Sequence, residues 1–546
     1  MEDNQTIAYA GADSATSGHE DSVFPPEPPA RELSPLRVLL LLIVLCGIGF
    51  GVWTLVTHRT TAADAESHAV PVYAPYVDVT LTPTYQFQLP AEDPVSSAYL
   101  GFIVSKPDSA CTPSWGGYYT LAQADQTLNL QARIAQLRSQ GGSAMLSFGG
   151  RDNGELAVGC TNTGRLTQAY RQAIDQYRVT GVDFDIEGAA LTDAAANARR
   201  AQAIASIQRQ MAREHRTLKV WVTLPVSNRG LTGEGVAVVR SMLAAHVTLA
   251  GVNALAMDFG SGEGAGRDLF STIRDALYAT HSQVQALWLS AGLSGGGGVA
   301  WQHLGATVML GVNDITAERF TISDARRLEA FANRMGVARV SAWSLNRDTE
   351  CGSAYPVTGV VSNNCSGVLQ DPLQFTKILS HLKGTKTARR QAESTSAPTT
   401  AATDNPATSP YPVWNSASAY VAGYKVVWQG DIYESNWWSQ GTAPDSGTAD
   451  SSGGSPWLLI GPVPTGSKAF KPKLLISTSP PAWSAQQVYH QGAQVSFDGL
   501  PYQARYYTQG DQPVDQLPGS SSTPWAPLFT APGEPNDTGI GSGSAQ

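Results

Sequence analysis

Lysine and arginine never gather into a run anywhere in the 546 residues, and the formal net charge is −9. That removes the electrostatic footprint a nucleic-acid surface needs, and an uncharged substrate suits the chain better. Histidine and cysteine are few and nowhere spaced as metal ligands, so no metal site and no other cofactor is expected. Long apolar runs are scarce as well, with one exception near the N-terminus. What is present is an apolar fraction of 42%, ample for a large core and incompatible with a wholly disordered chain.

Residues 1–36 are polar and acidic, with Pro25-Pro26 and Pro28-Pro29 and no periodicity, and read as a disordered cytoplasmic tail. Residues 37–58 read as a transmembrane anchor. Val38 to Thr57 is uncharged and almost wholly apolar, long enough as a helix to span about 30 Å of hydrocarbon. A cleaved signal peptide is the rival, since Ala62 to Ala69 offers small residues to a peptidase. Arg31 and Arg37 precede the span and Arg59 follows it, a bias toward a cytoplasmic N-terminus. The expected location is therefore the cell membrane, single-pass with the C-terminal domains extracytoplasmic, or secretion after cleavage. Cys46 lies in the span, which leaves Cys111, Cys160, Cys351 and Cys365 for an oxidising compartment. Cys351 and Cys365 sit close together in a Gly/Ser/Asn-rich loop and pair first; Cys111 with Cys160 follows by elimination.

From residue 70 to 385 short β-rich runs alternate with helical patterns: 72–79, 98–104, 144–148, 181–187, 219–224, 252–259, 306–310 and 337–345. The pattern predicts an α/β fold, a (β/α)8 TIM barrel, with an open doubly wound sheet as the alternative. The fourth run is Gly181-Val182-Asp183-Phe184-Asp185-Ile186-Glu187. In an extended strand its three carboxylates share one face. Helical patterns at Leu166–Tyr177 and Ala194–Arg213 cover such a strand on both sides, so the acids face an enclosed interior. Desolvation and mutual repulsion then keep at least one of them protonated near neutrality, as cleavage of a glycosidic bond requires. Glu187, at the C-terminal end of its strand where a barrel opens, is the candidate donor.

The acidic run resembles the DGxDxDxE signature of glycoside hydrolase family 18. Ser147-Phe148-Gly149-Gly150 is similar to that family's SxGG motif, and Trp343-Ser344-Leu345-Asn346-Arg347-Asp348 to the eighth-strand ending of its bacterial chitinases. Thr180 replaces the signature's first Asp, a departure expected to need only a structural adjustment. The resemblance implies a retaining, substrate-assisted mechanism. Glu187 protonates the glycosidic oxygen and later activates water, while the sugar's own 2-acetamido oxygen attacks the anomeric carbon. Asp185 holds the acetamido N–H and Asp183 shares a proton with Asp185. Ser147 is a partner for Asp183 at the substrate end of its strand, and Trp343 the apolar floor under the sugar. Many relatives place a Tyr on the sixth strand; here Met257-Asp258-Phe259 has none, so Asp258 is the polar group placed nearest the substrate, with Met257 and Phe259 beside it.

Residues 386–410 are rich in Thr, Ala, Ser and Pro and read as a linker. Beyond them a shift of 69 residues superposes Trp414 on Trp483, Tyr420 on Tyr489, Gly423 on Gly492, Val426 on Val495 and Tyr433 on Tyr502, which is a duplication. The copies occupy 411–462 and 481–530, separated by a linker at 463–480 and followed by a disordered tail at 531–546. Each is a small all-β module whose core leans on aromatics. Trp437-Trp438 and Tyr506-Tyr507 are adjacent ring pairs; on a strand neighbours face opposite sides, so one of each pair is expected to be exposed unless a turn intervenes. The pattern resembles carbohydrate-binding modules of families 5 and 12. The expected activity is a chitinase acting on chitin or chitooligosaccharides. An endo-β-N-acetylglucosaminidase, or a non-catalytic chitin-binding lectin, is the alternative.

Overall fold

The structure, a computed structural model, describes residues 71–89, 97–152, 154–260, 268–293, 299–353, 359, 361–384, 404–446, 454–513, 524–530 and 533. The expected tail at 1–36, the anchor at 37–58 and nearly all of the tail at 531–546 lie outside these residues. Among the described residues no helix is long and apolar enough to cross a membrane.

Eight parallel strands close on themselves. They are β1 (Val72–Tyr73 continued by Tyr76–Asp78), β2 (Ser97–Lys106), β3 (Ser143–Gly149), β4 (Gly181–Asp185), β5 (Lys219–Ser227), β6 (Leu249–Leu255), β7 (Leu304–Met309) and β8 (Arg339–Trp343). Neighbours in sequence are neighbours in the sheet, and β1 closes the ring by pairing Val72 with Arg339 of β8 and Tyr76 with Tyr99 of β2. The expected α/β barrel is present, with every expected run holding one strand; the fourth stops at Asp185, short of Glu187.

Helices clad the outside: α1 (Leu130–Ser139), α2 (Thr163–Gln176), α3 (Ala194–Arg213), α4 (Gly233–Ala244), α5 (Leu269–Ser290) and α6 (Ile322–Met335). In α2 the buried residues Leu166, Ala169, Tyr170, Ala173 and Ile174 recur at helical spacing, and Asn162 caps its first turn by accepting from Arg165 N–H. This face meets the outward residues of the sheet: Phe184 of β4 stacks on Phe148 of β3 at 5.2 Å, and Tyr170 abuts both rings edge-on. With Val182 and Phe184 turned outward, Asp183 and Asp185 must turn inward.

A hairpin strand, Ser109–Trp115, runs antiparallel to β2 above the barrel. Cys111 in it is bonded to Cys160, just past the short helix Leu156–Gly159 that follows β3, and Cys351 is bonded to Cys365 in the loop after β8.

Both C-terminal modules are all-β. The first is built on Lys425–Trp428, Asp431–Ser435 and Trp457–Pro462, the second on Gln494–Phe497, Leu500–Ala504 and Trp525–Pro527, each an antiparallel three-stranded sheet. Their cores repeat in detail: Tyr420 lies against Trp457 and Tyr489 against Trp525, both at 5.1 Å, and each Tyr hydroxyl accepts a backbone N–H at 2.7 Å, from Asn415 and Ser484. Within the expected linker 463–480, Lys473–Leu474 pairs with Phe529–Thr530 and so extends the second module.

The first module is seated on the barrel. Tyr411, Val427, Ile432 and Ile460 bury against Ala132 of α1, and the Tyr411 hydroxyl donates to Asn129 at 2.5 Å. Gly461, at φ 144°, lies so close to α1 that a Cβ there would stand 2.2 Å from the Ala132 carbonyl oxygen. Asp404 holds the approach to the module by accepting from the N–H groups of Gln429 and Gly430, each at 2.8 Å. In the second copy the matching positions are Pro480, Ser496 and Pro501 in place of Tyr411, Val427 and Ile432, so the docking face is not repeated.

Candidate active site

A cleft of about 890 Å³ opens over the C-terminal ends of the strands. Asp183 lies beneath it, sealed from solvent, where three hydroxyls converge: Tyr76 (2.9 Å) and Ser147 (2.7 Å) donate to Oδ2 and Thr223 (2.6 Å) to Oδ1. Asn253 steadies this group from below, its amide donating to Thr223 at 3.0 Å and to Thr307 at 2.6 Å. Burial raises the Asp183 carboxyl to about 6 against the pull of the three hydroxyls, which favour the anion.

Asp185, two residues on, has the opposite surroundings. It lines the cleft, yet its Oδ1 is buried and meets no hydrogen-bond donor among the described residues. Burial, followed by the charges of Glu187 and Asp183, holds its carboxyl well above the ordinary value. An anion there would be unsolvated between two others, so the surroundings favour its neutral form. Glu187 stands at the cleft edge. Burial lifts it to about 7, Arg151 works against that shift, and Asp152 and Asp258 reinforce it. The backbone between β3 and β4 is correspondingly tight. Gly149 has φ 102°, and a Cβ on it would fall 2.1 Å from the Asp185 carbonyl oxygen.

The opposite wall is aromatic. Trp343 lines the cleft at the end of β8 and stacks on Phe102 at 5.4 Å, with Tyr76 at 6.3 Å. Asp258 and Met257 line it from beyond β6, where Asp258 accepts from Ile315 N–H at 2.8 Å. Among the described residues no group of three His, Cys, Asp or Glu is arranged to hold a metal ion.

Ser147 is the expected partner of Asp183, its hydroxyl donating to that carboxylate, but it is fully buried and does not reach the cleft, which corrects its grouping with the substrate contacts. Phe259, an expected substrate contact, does not line the cleft either: β6 ends at Leu255, Asp258 takes φ 54°, and Phe259 packs half-buried against the main core with its N–H on Glu318. Thr180 is exposed at the start of β4, the end remote from the cleft. Tyr76, Thr223, Asn253 and Thr307 were missed, although each is a polar residue at an inward position with apolar neighbours on both sides, the signal that marked the acids. Arg151 and Asp152 were missed too, directly after the Ser147–Gly150 motif.

On the modules, both members of each ring pair are exposed: Trp437 43%, Trp438 60%, Tyr506 49% and Tyr507 60%. A bend separates Asp431–Ser435 from Ser439–Gln440, and another separates Leu500–Ala504 from Thr508–Gln509, so the alternation of a strand is broken at each pair.

Comparison with known proteins agrees with this arrangement. Residues 482–526 match the carbohydrate-binding module family 5/12. The chain is 35% identical over 289 residues to a probable bifunctional chitinase/lysozyme of Escherichia coli, covering 52% of this chain and 31% of that protein. It is 34% identical over 284 residues to Endochitinase 11 of Metarhizium anisopliae, covering 51% and 52%. The chain thus spans about a third and about half the length of these curated relatives. Among solved structures, the catalytic domain of a hyperthermophilic chitinase from Pyrococcus furiosus is similar at 25% identity and a TM-score of 0.49, covering 59% of this chain and 98% of that one. The chain therefore has proteins named as chitinases among its homologues. Behind it the chain carries a family 5/12 carbohydrate-binding module.

Proposed function

We propose that the chain is a chitinase, hydrolysing β-1,4-linked N-acetylglucosamine by a retaining, substrate-assisted route. The observation that carries the reading is the graded set of carboxylates: Asp183 held by three hydroxyls, Asp185 without a donor, and Glu187 lifted to about 7 at the edge of an open cleft. Glu187 protonates the leaving oxygen and then activates water. Asp185, protonated at rest, turns its carboxyl to the acetamido N–H as positive charge develops. Asp183 is the fixed anion beneath it. Trp343 takes the apolar face of the sugar ring. The chitinase names of the relatives and the family 5/12 match favour chitin as the polymer.

The exposed pairs Trp437-Trp438 and Tyr506-Tyr507 stack on sugar faces and keep the enzyme on an insoluble surface. We assign the apolar stretch at 37–58 as a membrane anchor that places everything after it outside the cytoplasm, with secretion after cleavage as the variant. The two disulfides favour such an oxidising location. The test is hydrolysis of a chromogenic chitooligosaccharide by the intact protein and by Glu187→Gln. Turnover lost in the variant with oligosaccharide binding retained is the expected result; absence of turnover by the intact protein would leave a binding protein instead.

A further inference from the structure

The loops after β3 and β7 meet over the cleft. Arg151 follows β3, and its Nη1 pairs with Oδ2 of Asp314, which lies beyond β7. In a closed ring of eight strands the third and the seventh are diametrically opposed, so the pair forms a chord across the mouth. On one side of the chord stand β4 to β6 with Glu187 and Asp258. On the other stand β8, β1 and β2 with Trp343 and Phe102. All of these residues line the same cleft. A sugar resting on Trp343 with its glycosidic oxygen at Glu187 must therefore cross the line of the ion pair.

We propose that Arg151 and Asp314 form a strap across the cleft that an incoming chitooligosaccharide displaces, and that these two side chains control entry to the acid. The proposal rests on the reading of the cleft as a chitooligosaccharide site. The pair suits a strap because it is weakly held: the side chains are 62% and 34% exposed, and an exposed ion pair contributes little net stability. Both belong to loops rather than to strands, so opening the pair leaves the barrel ring intact.

Opening also reaches the chemistry. Glu187 is faced by Asp185 from β4, by Arg151 and Asp152 from the loop after β3, and by Asp258 from the loop after β6. Of these Arg151 is the cation, and Asp314 neutralises part of its field while the strap is closed. Displacing Asp314 leaves Arg151 uncompensated beside Glu187, which favours the carboxylate and makes Glu187 give up its proton more readily. Arrival of substrate and release of the proton are thereby coupled through one guanidinium.

The experiment has two readouts on the full chain. In a Glu187→Gln background, stopped-flow tryptophan fluorescence measures the association rate constant for chitotetraose. Asp314→Asn and Arg151→Gln each raise it several-fold, and Arg151→Lys, which keeps a cation for Asp314, stays near the parent. In chains with Glu187 intact, the alkaline limb of kcat/KM on a chromogenic chitobioside moves to lower pH in Asp314→Asn and to higher pH in Arg151→Gln. Slower or unchanged association in both variants, or limbs that move in the same direction, overturns the strap and leaves the pair as a brace between loops. The functional reading is judged separately: hydrolysis by the unmodified protein upholds it whatever the strap variants do. If the unmodified protein cleaves nothing and the Glu187→Gln chain binds no chitotetraose, the reading fails and the strap falls with it.

Discussion

Gly461 is the position where the seating of the first module on the barrel can be tested with one methyl group. In Gly461→Ala the new Cβ must avoid the Ala132 carbonyl oxygen, which would stand at 2.2 Å, and the backbone keeps φ 144°, a conformation Ala disfavours. Overpacking costs about 1–3 kcal/mol and the backbone strain a further ~1–3 kcal/mol. Full undocking would expose Val427, Ile432 and Ile460, each worth about 1.5–3 kcal/mol when buried. The strain is the smaller quantity, so the variant stays docked and loses about 2–6 kcal/mol. Gly499→Ala in the second module is the control, because it also has positive φ, 77°, but open space around the Cβ; its cost is about 1–2 kcal/mol. Calorimetry and urea unfolding followed by tryptophan fluorescence compare the two. The reasoning is refuted if both variants shift alike, or if the first module melts apart from the barrel with the barrel midpoint unmoved. The same logic predicts that ending the chain at residue 410 weakens the barrel itself, since Asn129 loses the Tyr411 hydroxyl and Ala132 its apolar cover.

Glu187→Gln removes the proton donor and should lower kcat on chitotriose by at least about 10²–10⁴-fold while a fluorescence titration shows binding kept. Ser147→Ala removes one of the three donors to Asp183; its carboxyl should rise above about 6, and the acidic limb of the pH–rate profile should move up with it. Carboxyls raised by folding stabilise the fold below their unfolded pKa of about 4, and that contribution is lost as pH rises through the folded values, about 6 for Asp183 and about 7 for Glu187. Asp185→Asn deletes the group with the poorest surroundings, so its melting temperature relative to the parent should improve from pH 5 to pH 8; a constant difference contradicts the burial account. Trp437→Ala with Trp438→Ala should cut retention on insoluble chitin in a sedimentation assay by more than it cuts turnover of soluble chitotriose.

The barrel was legible because each strand is a short apolar run between helices, and the acids were legible because Asp183, Asp185 and Glu187 repeat with the period of a strand. That same period, applied to β1, β5, β6 and β7, would have found Tyr76, Thr223, Asn253 and Thr307, whose single hydroxyl or amide groups are a fainter signal than a carboxylate. Phe259 was misplaced because a pattern of residue types does not show that Asp258 adopts φ 54° and turns the chain out of the cleft. The Arg151–Asp314 pair joins residues on opposite sides of the ring, a relation that exists only after closure. The seating of the first module left a trace, Val427 and Ile432 against Ser496 and Pro501 in the second copy, but a difference between repeats says nothing of what covers the apolar member.

Each covalent sulfur link fastens a segment of the cleft rim. Cys111 secures the hairpin that leads to Gly116 and Tyr118, while Cys351 and Cys365 bracket the stretch bearing Val361 and Asn363. A bacterial cytosol used as an expression host would leave all four thiols reduced, yielding a chain whose central ring folds while the borders of its groove hang loose. Soluble yield from such a host is then a poor guide to competence, and export to a periplasm is the sounder way to prepare the protein for any of these measurements.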